Sequence, residues 1–392
     1  MNKVEIIRQN TVEIIPEDEL INKLNSGKQL RVKWGIDPTA PDVHLGNAVC
    51  LRKLREFQEL GHKVILIVGD FTAKIGDPSG KSIKRPQISD ADIDKNMTNY
   101  IPQILKILIP DLTEFRYNSE WLGKLTSEQI IKLAARFTVA QVLEREDISN
   151  RYKKGEPVAL HELLYALFQG YDSVAVHADI EIGATEQKFN ILFGREVQRE
   201  FGHPLQVVIT LPILEGLDGV RKMSKSYNNY IGITESPREM FGKLMSIPDS
   251  SIINYIRLTT NINENEISDI ESQLKEGKVN PRDIKIKLAR EVIAIYHSNE
   301  EAIEAEEEFI QVFSKREVPT DIPVYVSHEK KVWIVKLLVD AGIVATRSEV
   351  RRLIEQGGIE IDGQVVKDVN FELENDAIIK IGKHKFLKFN MK

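Results

Sequence analysis

The groups best suited to chemistry in this chain are two lysines in Lys222-Met223-Ser224-Lys225-Ser226 and, far upstream, a histidine and an asparagine in His44-Leu45-Gly46-Asn47. Lysine is a compact cation on a flexible stem, able to meet charge that builds on phosphate oxygens as a bond to phosphorus breaks. Lys222 and Lys225 follow Gly216 and Gly219, which frame a loop that can close over a phosphate-bearing substrate. His44 and Asn47 stand at the start of a helix expected from about Gly46, where unpaired backbone N–H groups and the helix dipole attract phosphate. Taken singly, the lysine run reads as a solvated loop and the histidine as a turn or capping residue. Brought together, these cations and donors would suit charge stabilisation at phosphorus.

A second constellation lies in 161–172, His-Glu-Leu-Leu-Tyr-Ala-Leu-Phe-Gln-Gly-Tyr-Asp, which is apolar around most of a helix and should be buried. Tyr165, Gln169 and Asp172 fall at i, i+4 and i+7, one polar stripe on that helix. Buried polar groups need partners, and such a stripe either satisfies neighbouring backbone or faces a ligand cavity. Tyrosine, glutamine and a carboxylate together can read an amino group, a carbonyl or a phenol. Asp77, in Gly76-Asp77-Pro78-Ser79-Gly80, can pair with an ammonium group, although the segment alone reads as a turn. Gly183-Ala184-Thr185-Glu186-Gln187 reads as a glycine turn leading into a helix, with Glu186 able to hold ribose hydroxyls.

These residues need a parallel α/β scaffold, and 1–228 alternates apolar strand-like runs with amphipathic helices as such a sheet would. The expected elements are strands over 30–36, 64–68 and 206–211 and a helix over 46–60 closed by Gly61. Residues 229–325 read as helical, notably 283–297 and the acidic 299–313, and Pro319 and Pro323 punctuate a linker over 316–330. From 331 to 392 a compact unit follows. Its expected parts are a helix over 332–340 stopped at Ala341-Gly342, a second helix capped by Thr346 or Ser348 and ended by Gly357-Gly358, and a hairpin 359–366 turning at Asp362-Gly363. Eleven Lys plus Arg stand against nine Asp plus Glu over 331–392. Arg347, Arg351 and Arg352 share one helix, and Lys380, Lys383, Lys385 and Lys388 follow. Such a basic face reads either as a solvated surface or as an RNA-binding module.

Composition bounds the remaining possibilities. At 392 residues, 42% hydrophobic and 29% charged, the chain suits a soluble protein of two or three domains. No apolar run approaches the roughly 20 residues of a membrane span, and Met1-Asn2-Lys3-Val4-Glu5 starts no signal peptide, so a cytoplasmic location is expected. The single cysteine, Cys50, excludes an intrachain disulfide, and eight scattered histidines give no reason to expect a structural metal. A net charge of −6 confines any RNA contact to local basic surface.

The two signature segments are those of class I aminoacyl-tRNA synthetases, and nearly the full length resembles the bacterial tyrosyl-tRNA synthetase family. The resemblance is carried by 32–46, Val-Lys-Trp-Gly-Ile-Asp-Pro-Thr-Ala-Pro-Asp-Val-His-Leu-Gly, by 58–64 and by Gly69-Asp70-Phe71-Thr72. Gly76-Asp77-Pro78-Ser79-Gly80, Tyr117-Asn118-Ser119-Glu120-Trp121-Leu122 and the lysine run belong to it too. The resemblance implies a Rossmann-like parallel-sheet catalytic domain (1–228), a helical tRNA-interacting domain (229–325) and a small α+β RNA-binding domain of the ribosomal small-subunit protein type (331–392).

The implied activity is ligation of tyrosine to tRNA(Tyr) through tyrosyl-adenylate. Asp77, Tyr165 and Gln169 would hold the ammonium group, Asp172 the phenol and Gln187 the carboxylate, with Asp37 beside the amino-acid pocket. His44, Asn47, Lys222 and Lys225 would stabilise the reacting phosphates, with Gly46, Gly183 and Glu186 also on ATP and Arg347, Arg351 and Arg352 on tRNA. Magnesium accompanying ATP and a homodimer are implied likewise. Several positions depart from the family pattern: Asn47 replaces a second histidine, Ala184 and Glu186 replace glycine and aspartate, Trp34 replaces a smaller residue, and Ala73 replaces a glycine. These departures leave open a paralogue acting on another aromatic amino acid, or an RNA-binding protein with a decayed catalytic site.

Overall fold

The computed structural model describes residues 2–38, 41–77, 89–314, 322–327, 329, 331–382 and 385–391. Thr39, Ala40, Pro78, Ser79 and Gly80 of the quoted motifs, Pro319 of the linker and Lys383 lie outside the described residues. The chain divides into two compact units, Met1–Ile303 and Glu304–Lys392.

The first unit is built on a six-stranded sheet of order β1-β6-β5-β2-β3-β4. Its strands are β1 (Glu13–Ile15), β2 (Arg31–Ile36), β3 (Lys63–Val68), β4 (Thr113–Tyr117), β5 (Ile180–Ala184) and β6 (Val207–Leu211). All neighbours are parallel except β1, which closes one edge antiparallel to β6. The expected strands over 30–36, 64–68 and 206–211 are therefore present as β2, β3 and β6. Every residue of β6 is buried, as is all of β3 after Lys63, because helices cover both faces of a parallel sheet. Strands β1 and β4 were not read from the sequence; β4 has no fully buried position and therefore no continuous apolar run.

Helix α1 (Leu45–Glu59) starts at a reciprocal cap: His44 Nδ1 accepts from the Asn47 N–H at 3.3 Å, and Asn47 Oδ1 accepts from the His44 N–H at 3.2 Å. It buries Leu45, Ala48, Leu51, Leu54 and Phe57 at helical spacing and ends where Gly61 adopts φ +89°. Helix α2 (Leu160–Ala175) carries the polar stripe and packs along α3 (Lys188–Glu200). The two approach closely because Gly170 faces Gly194 and Val197; a Cβ on Gly170 would lie 2.6 Å from a Val197 methyl. The expected glycine turn at 183–187 is shorter than read. Gly183 and Ala184 end β5, and only Thr185–Gln187 turn, as a single 3-10 stretch, because pairing with Thr210 and Leu211 keeps both extended. Helices α4 (Pro237–Ser246), α5 (Ile252–Thr259) and α6 (Pro281–Tyr296) follow; α6 packs on α4 and α5, and α5 also touches α1.

In the second unit a five-stranded sheet of order β10-β9-β12-β13-β7 combines β7 (Val324–Ser327), β9 (Ile359–Ile361), β10 (Gln364–Val365), β12 (Ala377–Ile381) and β13 (Lys385–Met391). The expected hairpin is present, its turn made by Asp362 at φ +48° and Gly363 at φ +83°, the mirror-image turn that suits strand twist. Two expectations need correction. Residues 324–327, read as linker, form β7 and pair parallel with β13. The helix read over 332–340 begins only at Ile334, because β8 (Val332–Trp333) pairs with β11 (Glu372–Leu373) before α7 (Ile334–Asp340). Helix α8 (Arg347–Glu355) is capped by Thr346, whose side chain accepts from the Glu349 N–H. Ile334, Val335, Leu338, Val350, Ile354, Ile359, Ile379 and Phe389 belong to the unit's core.

Candidate functional site

The sheet of the first unit reverses its winding between β2 and β5: the chain proceeds outward through β3 and β4 on one side, then through β5 and β6 on the other. At such a switch point the loops leaving the two central strands splay apart and open a crevice. A cavity of about 290 Å³ lies there. Its lining includes Asp37 beyond the end of β2, Gly183 at the end of β5, the α2 stripe and the start of α1. Among the sixteen residues named from the sequence as catalytic, nucleotide-binding, amino-acid-binding or tRNA-binding, all those of the first unit except Lys225 line this one cavity.

At one end Asp172 is 3% exposed. It accepts from Trp121 Nε1 at 2.8 Å and from Asn118 Nδ2 at 3.3 Å. Burial pushes its carboxyl up to about 7, against the opposing pull of the Lys33 ammonium and these two donors. A hydrogen-bonded chain runs from here to the strand end: Asn118 Nδ2 donates to Thr72 Oγ1 at 3.0 Å, and Thr72 donates to Asp37 Oδ1 at 2.9 Å. Asp37 Oδ2 accepts from the Tyr165 phenol at 2.9 Å, and burial raises that phenol well above its usual range. Gly69 admits the Asp37 carboxylate, since a Cβ there would fall 2.0 Å from Asp37 Oδ1.

Gln169 donates Nε2 to Glu181 Oε1 at 3.1 Å. Asp77 accepts from Gln187 Nε2 at 2.6 Å and from the buried Arg145 guanidinium at 3.0 Å. Arg145 also reaches Asp147 at 2.8 Å and Asn190 at 2.9 Å.

At the other end His44 has Nδ1 occupied by the Asn47 N–H. Burial, then Lys225 and Lys222, push the ring down to about 4. The imidazole is therefore neutral at pH 7, and with Nδ1 accepting, its proton sits on Nε2 as a donor. Gly46 keeps the backbone low here: a Cβ would lie 3.1 Å from the His44 ring and 3.4 Å from Met223 Cβ.

Both lysines of the loop rest on carboxylates. Lys222 Nζ contacts Glu186 Oε2 at 2.7 Å and Oε1 at 2.9 Å. Lys225 Nζ lies 3.2 Å from Asp42 Oδ2 and 5.7 Å from the ring centroids of both Tyr100 and Tyr230. The loop is held by Asn229, which accepts from the Ser224 N–H at 2.9 Å and donates to Asp218 and to the Lys222 carbonyl, each at 3.2 Å. Gly216 clears room for it, because a Cβ there would meet Asn229 Nδ2 at 2.1 Å.

Sequence reasoning did not single out Lys33, Glu181, Arg145, Asp42 and Asn229 for the site. Lys33 and Glu181 carried a readable signal, since a charge inside an apolar strand demands a partner. Asn118 and Trp121 were quoted as motif residues without a role; their place under Asp172 is decided by tertiary contact. Trp34 lines the cavity at 7% exposure.

In the second unit Arg347, Arg351 and Arg352 are exposed on α8, and among the described residues none is tied to a carboxylate. Arg351 lies over the Trp333 ring at 5.8 Å.

Residues 25–314 match the family model for tRNA synthetases class I (W and Y), and residues 332–379 match the S4 domain. The tyrosine–tRNA ligase of Moorella thermoacetica is 50% identical over 99% of this chain and 95% of its own length. That of Thermotoga maritima is 49% identical over 99% and 97%. Among solved structures, a C-terminally truncated mitochondrial tyrosyl-tRNA synthetase of Aspergillus nidulans superposes with TM-score 0.65 at 21% identity, covering 79% of this chain and 94% of its own. The tyrosyl-tRNA synthetase of Archaeoglobus fulgidus complexed with L-tyrosine gives 0.62 at 22%, covering 78% and 98%. At those identities the two structures speak for the fold alone, whereas the match over 25–314 and the near full-length identities speak for descent. The chain belongs to the class I tRNA synthetases, in the bacterial tyrosyl-tRNA synthetase family.

Proposed function

We propose that this chain is a tyrosine–tRNA ligase, which activates tyrosine with ATP to tyrosyl-adenylate and then passes the tyrosyl group to the 3′ end of tRNA(Tyr). The observation that carries the reading is the single cavity joining a buried carboxylate, Asp172, to the His44 and Lys222 end. The phenol donates to Asp172, whose other partners are all donors. The ammonium group is met by Tyr165, Gln169 and Asp77, with Gln187 near the carboxylate and Asp37 orienting Tyr165. The substrate carboxylate attacks the α-phosphate itself, so no protein nucleophile is needed and the protein supplies alignment and charge stabilisation. His44 Nε2–H donates to phosphate oxygens, Asn47 holds that ring, and Gly46 lets the α1 N-terminus approach. Glu186 exchanges Lys222 for ribose hydroxyls beside Gly183, and Lys222 and Lys225 exchange their carboxylates for the departing pyrophosphate.

Magnesium arrives with ATP in this reading, since magnesium commonly binds through substrate phosphates.

The division into catalytic (1–228), helical (229–325) and RNA-binding (331–392) domains is part of the proposal, with Arg347, Arg351 and Arg352 on tRNA. A homodimer is supported by exposed apolar side chains on neighbouring segments, Ile131, Val139, Tyr152 and Leu160, the last 82% exposed. Among the described residues no helix is long and apolar enough to cross a membrane. The cytoplasm, where charged tRNA is consumed, is the proposed location. Amino-acid-dependent ATP–pyrophosphate exchange tests the function: tyrosine should drive exchange, with phenylalanine and tryptophan near background. Exchange driven best by another amino acid, or by none, would refute it.

A further inference from the structure

Lys33 and Glu181 are register partners on β2 and β5 and form a fully buried ion pair at 3.0 Å, their side chains 0% and 2% exposed. A carboxylate offers about four lone-pair sites, and here all four are taken. Oε1 receives Lys33 Nζ and Gln169 Nε2, and Oε2 receives Ser173 Oγ at 3.1 Å and Gln206 Nε2 at 2.6 Å. Lys33 in turn donates to the Gln169 carbonyl at 2.9 Å and to Ser173 Oγ at 2.7 Å, pinning the middle of α2 to the sheet. Every neighbour of this anion must therefore present a donor. For Gln169 that turns the amide nitrogen toward Glu181 and leaves its oxygen as the group available to the cavity. A carboxamide oxygen accepts from an ammonium group; the flipped nitrogen would repel one.

We propose that Glu181, paired with Lys33, is a positioning residue that fixes the Gln169 carboxamide oxygen toward the cavity and so makes the pocket selective for amino acids bearing a free α-ammonium group. The inference rests on the proposed contact between Gln169 and the substrate ammonium. Neither Lys33 nor Glu181 takes part in the phosphate chemistry, and their role is exerted through Gln169.

The test compares tyrosine with 3-(4-hydroxyphenyl)propanoate, which keeps the phenol and carboxylate and lacks the ammonium group. The variant is Lys33→Met with Glu181→Met, because replacing both partners of a buried pair with apolar groups of similar size is tolerated, whereas removing one strands a charge. Glu181→Gln, which lets the Gln169 amide turn over, is the conservative companion. In the double variant tyrosine binding should weaken about tenfold or more, as expected for losing a hydrogen bond to a charged group. The analogue should bind within about twofold of its wild-type affinity, and kcat at saturating tyrosine should be largely kept. Equal weakening of both ligands, or unchanged tyrosine binding, would overturn the proposal. Gln169→Met separates the two failures. If it leaves tyrosine affinity intact, the ammonium contact is wrong and the proposal falls with it. If it weakens tyrosine while the double variant does not, the site reading stands and the positioning role alone is refuted.

Discussion

Replacing Lys225 with alanine removes one of the two loop cations proposed to gain energy as pyrophosphate departs. At about 4 Å and an effective dielectric constant near 20, one lysine–phosphate charge pair is worth about 4 kcal/mol. The resting partner offsets part of this: Lys225 sits 3.2 Å from Asp42, whose side chain is 42% exposed, and such an exposed pair returns about 1 kcal/mol or less. About 3 kcal/mol is left as differential stabilisation of the transition state, or roughly 10²-fold in rate. Partial burial also holds the Lys225 ammonium below the usual lysine range, with Asp42 opposing the shift, so the charge is only incompletely hydrated before it meets phosphate. The assay is ATP–pyrophosphate exchange at saturating tyrosine, with tyrosine affinity measured separately by equilibrium dialysis. Lys225→Ala should lower kcat/KM for ATP by about 10²-fold and leave tyrosine affinity unchanged. An unaltered exchange rate, or a parallel loss of tyrosine binding, would refute the reasoning.

Four further outcomes are expected. Because Trp121 and Asn118 both donate to Asp172, the phenol needs the ionised carboxylate, so kcat/KM for tyrosine should rise with pH up to about 7 and then level, a slope that Asp172→Asn abolishes. The raised carboxyl also means that the folded chain binds more protons than the unfolded one between about 4 and 7, so stability should fall as pH rises across that window, and urea melts of Asp172→Asn should lack this component. Deleting residues from 322 onward should leave exchange nearly intact, because every residue assigned to adenylate formation lies in the first unit, while tRNA charging collapses. In the full chain, charge reversal at Arg347, Arg351 and Arg352 should weaken tRNA binding most at low salt, as gel-shift titrations at two ionic strengths would show; normal charging by the folded truncation would contradict the RNA-binding role.

Local chemistry made much of this protein legible from sequence. The α1 cap at His44, the buried strands β3 and β6, the Asp362-Gly363 turn and the polar stripe on α2 each depend on residues within a few positions of one another. The lysine run and the His44 segment could be paired across their long separation because they match the two signature segments of class I aminoacyl-tRNA synthetases. Other features required the assembled sheet. Strand β5 was not read and the start of the glycine turn was misread, because pairing with β6, rather than local propensity, keeps Gly183 and Ala184 extended. Val332 and Trp333 left the expected helix for the same reason, drawn into a ladder with Glu372 and Leu373.

The ion-pair partners were invisible for a more general cause. Asp42 for Lys225, Glu186 for Lys222, Arg145 for Asp77 and Glu181 for Lys33 are ion pairs between segments distant in sequence or on different elements. Residue type alone sets the need for a counter-charge, and sequence therefore determined that these groups would be paired. Which partner meets which charge is fixed by strand register and by the loops converging at the switch point, and that only the tertiary structure decided.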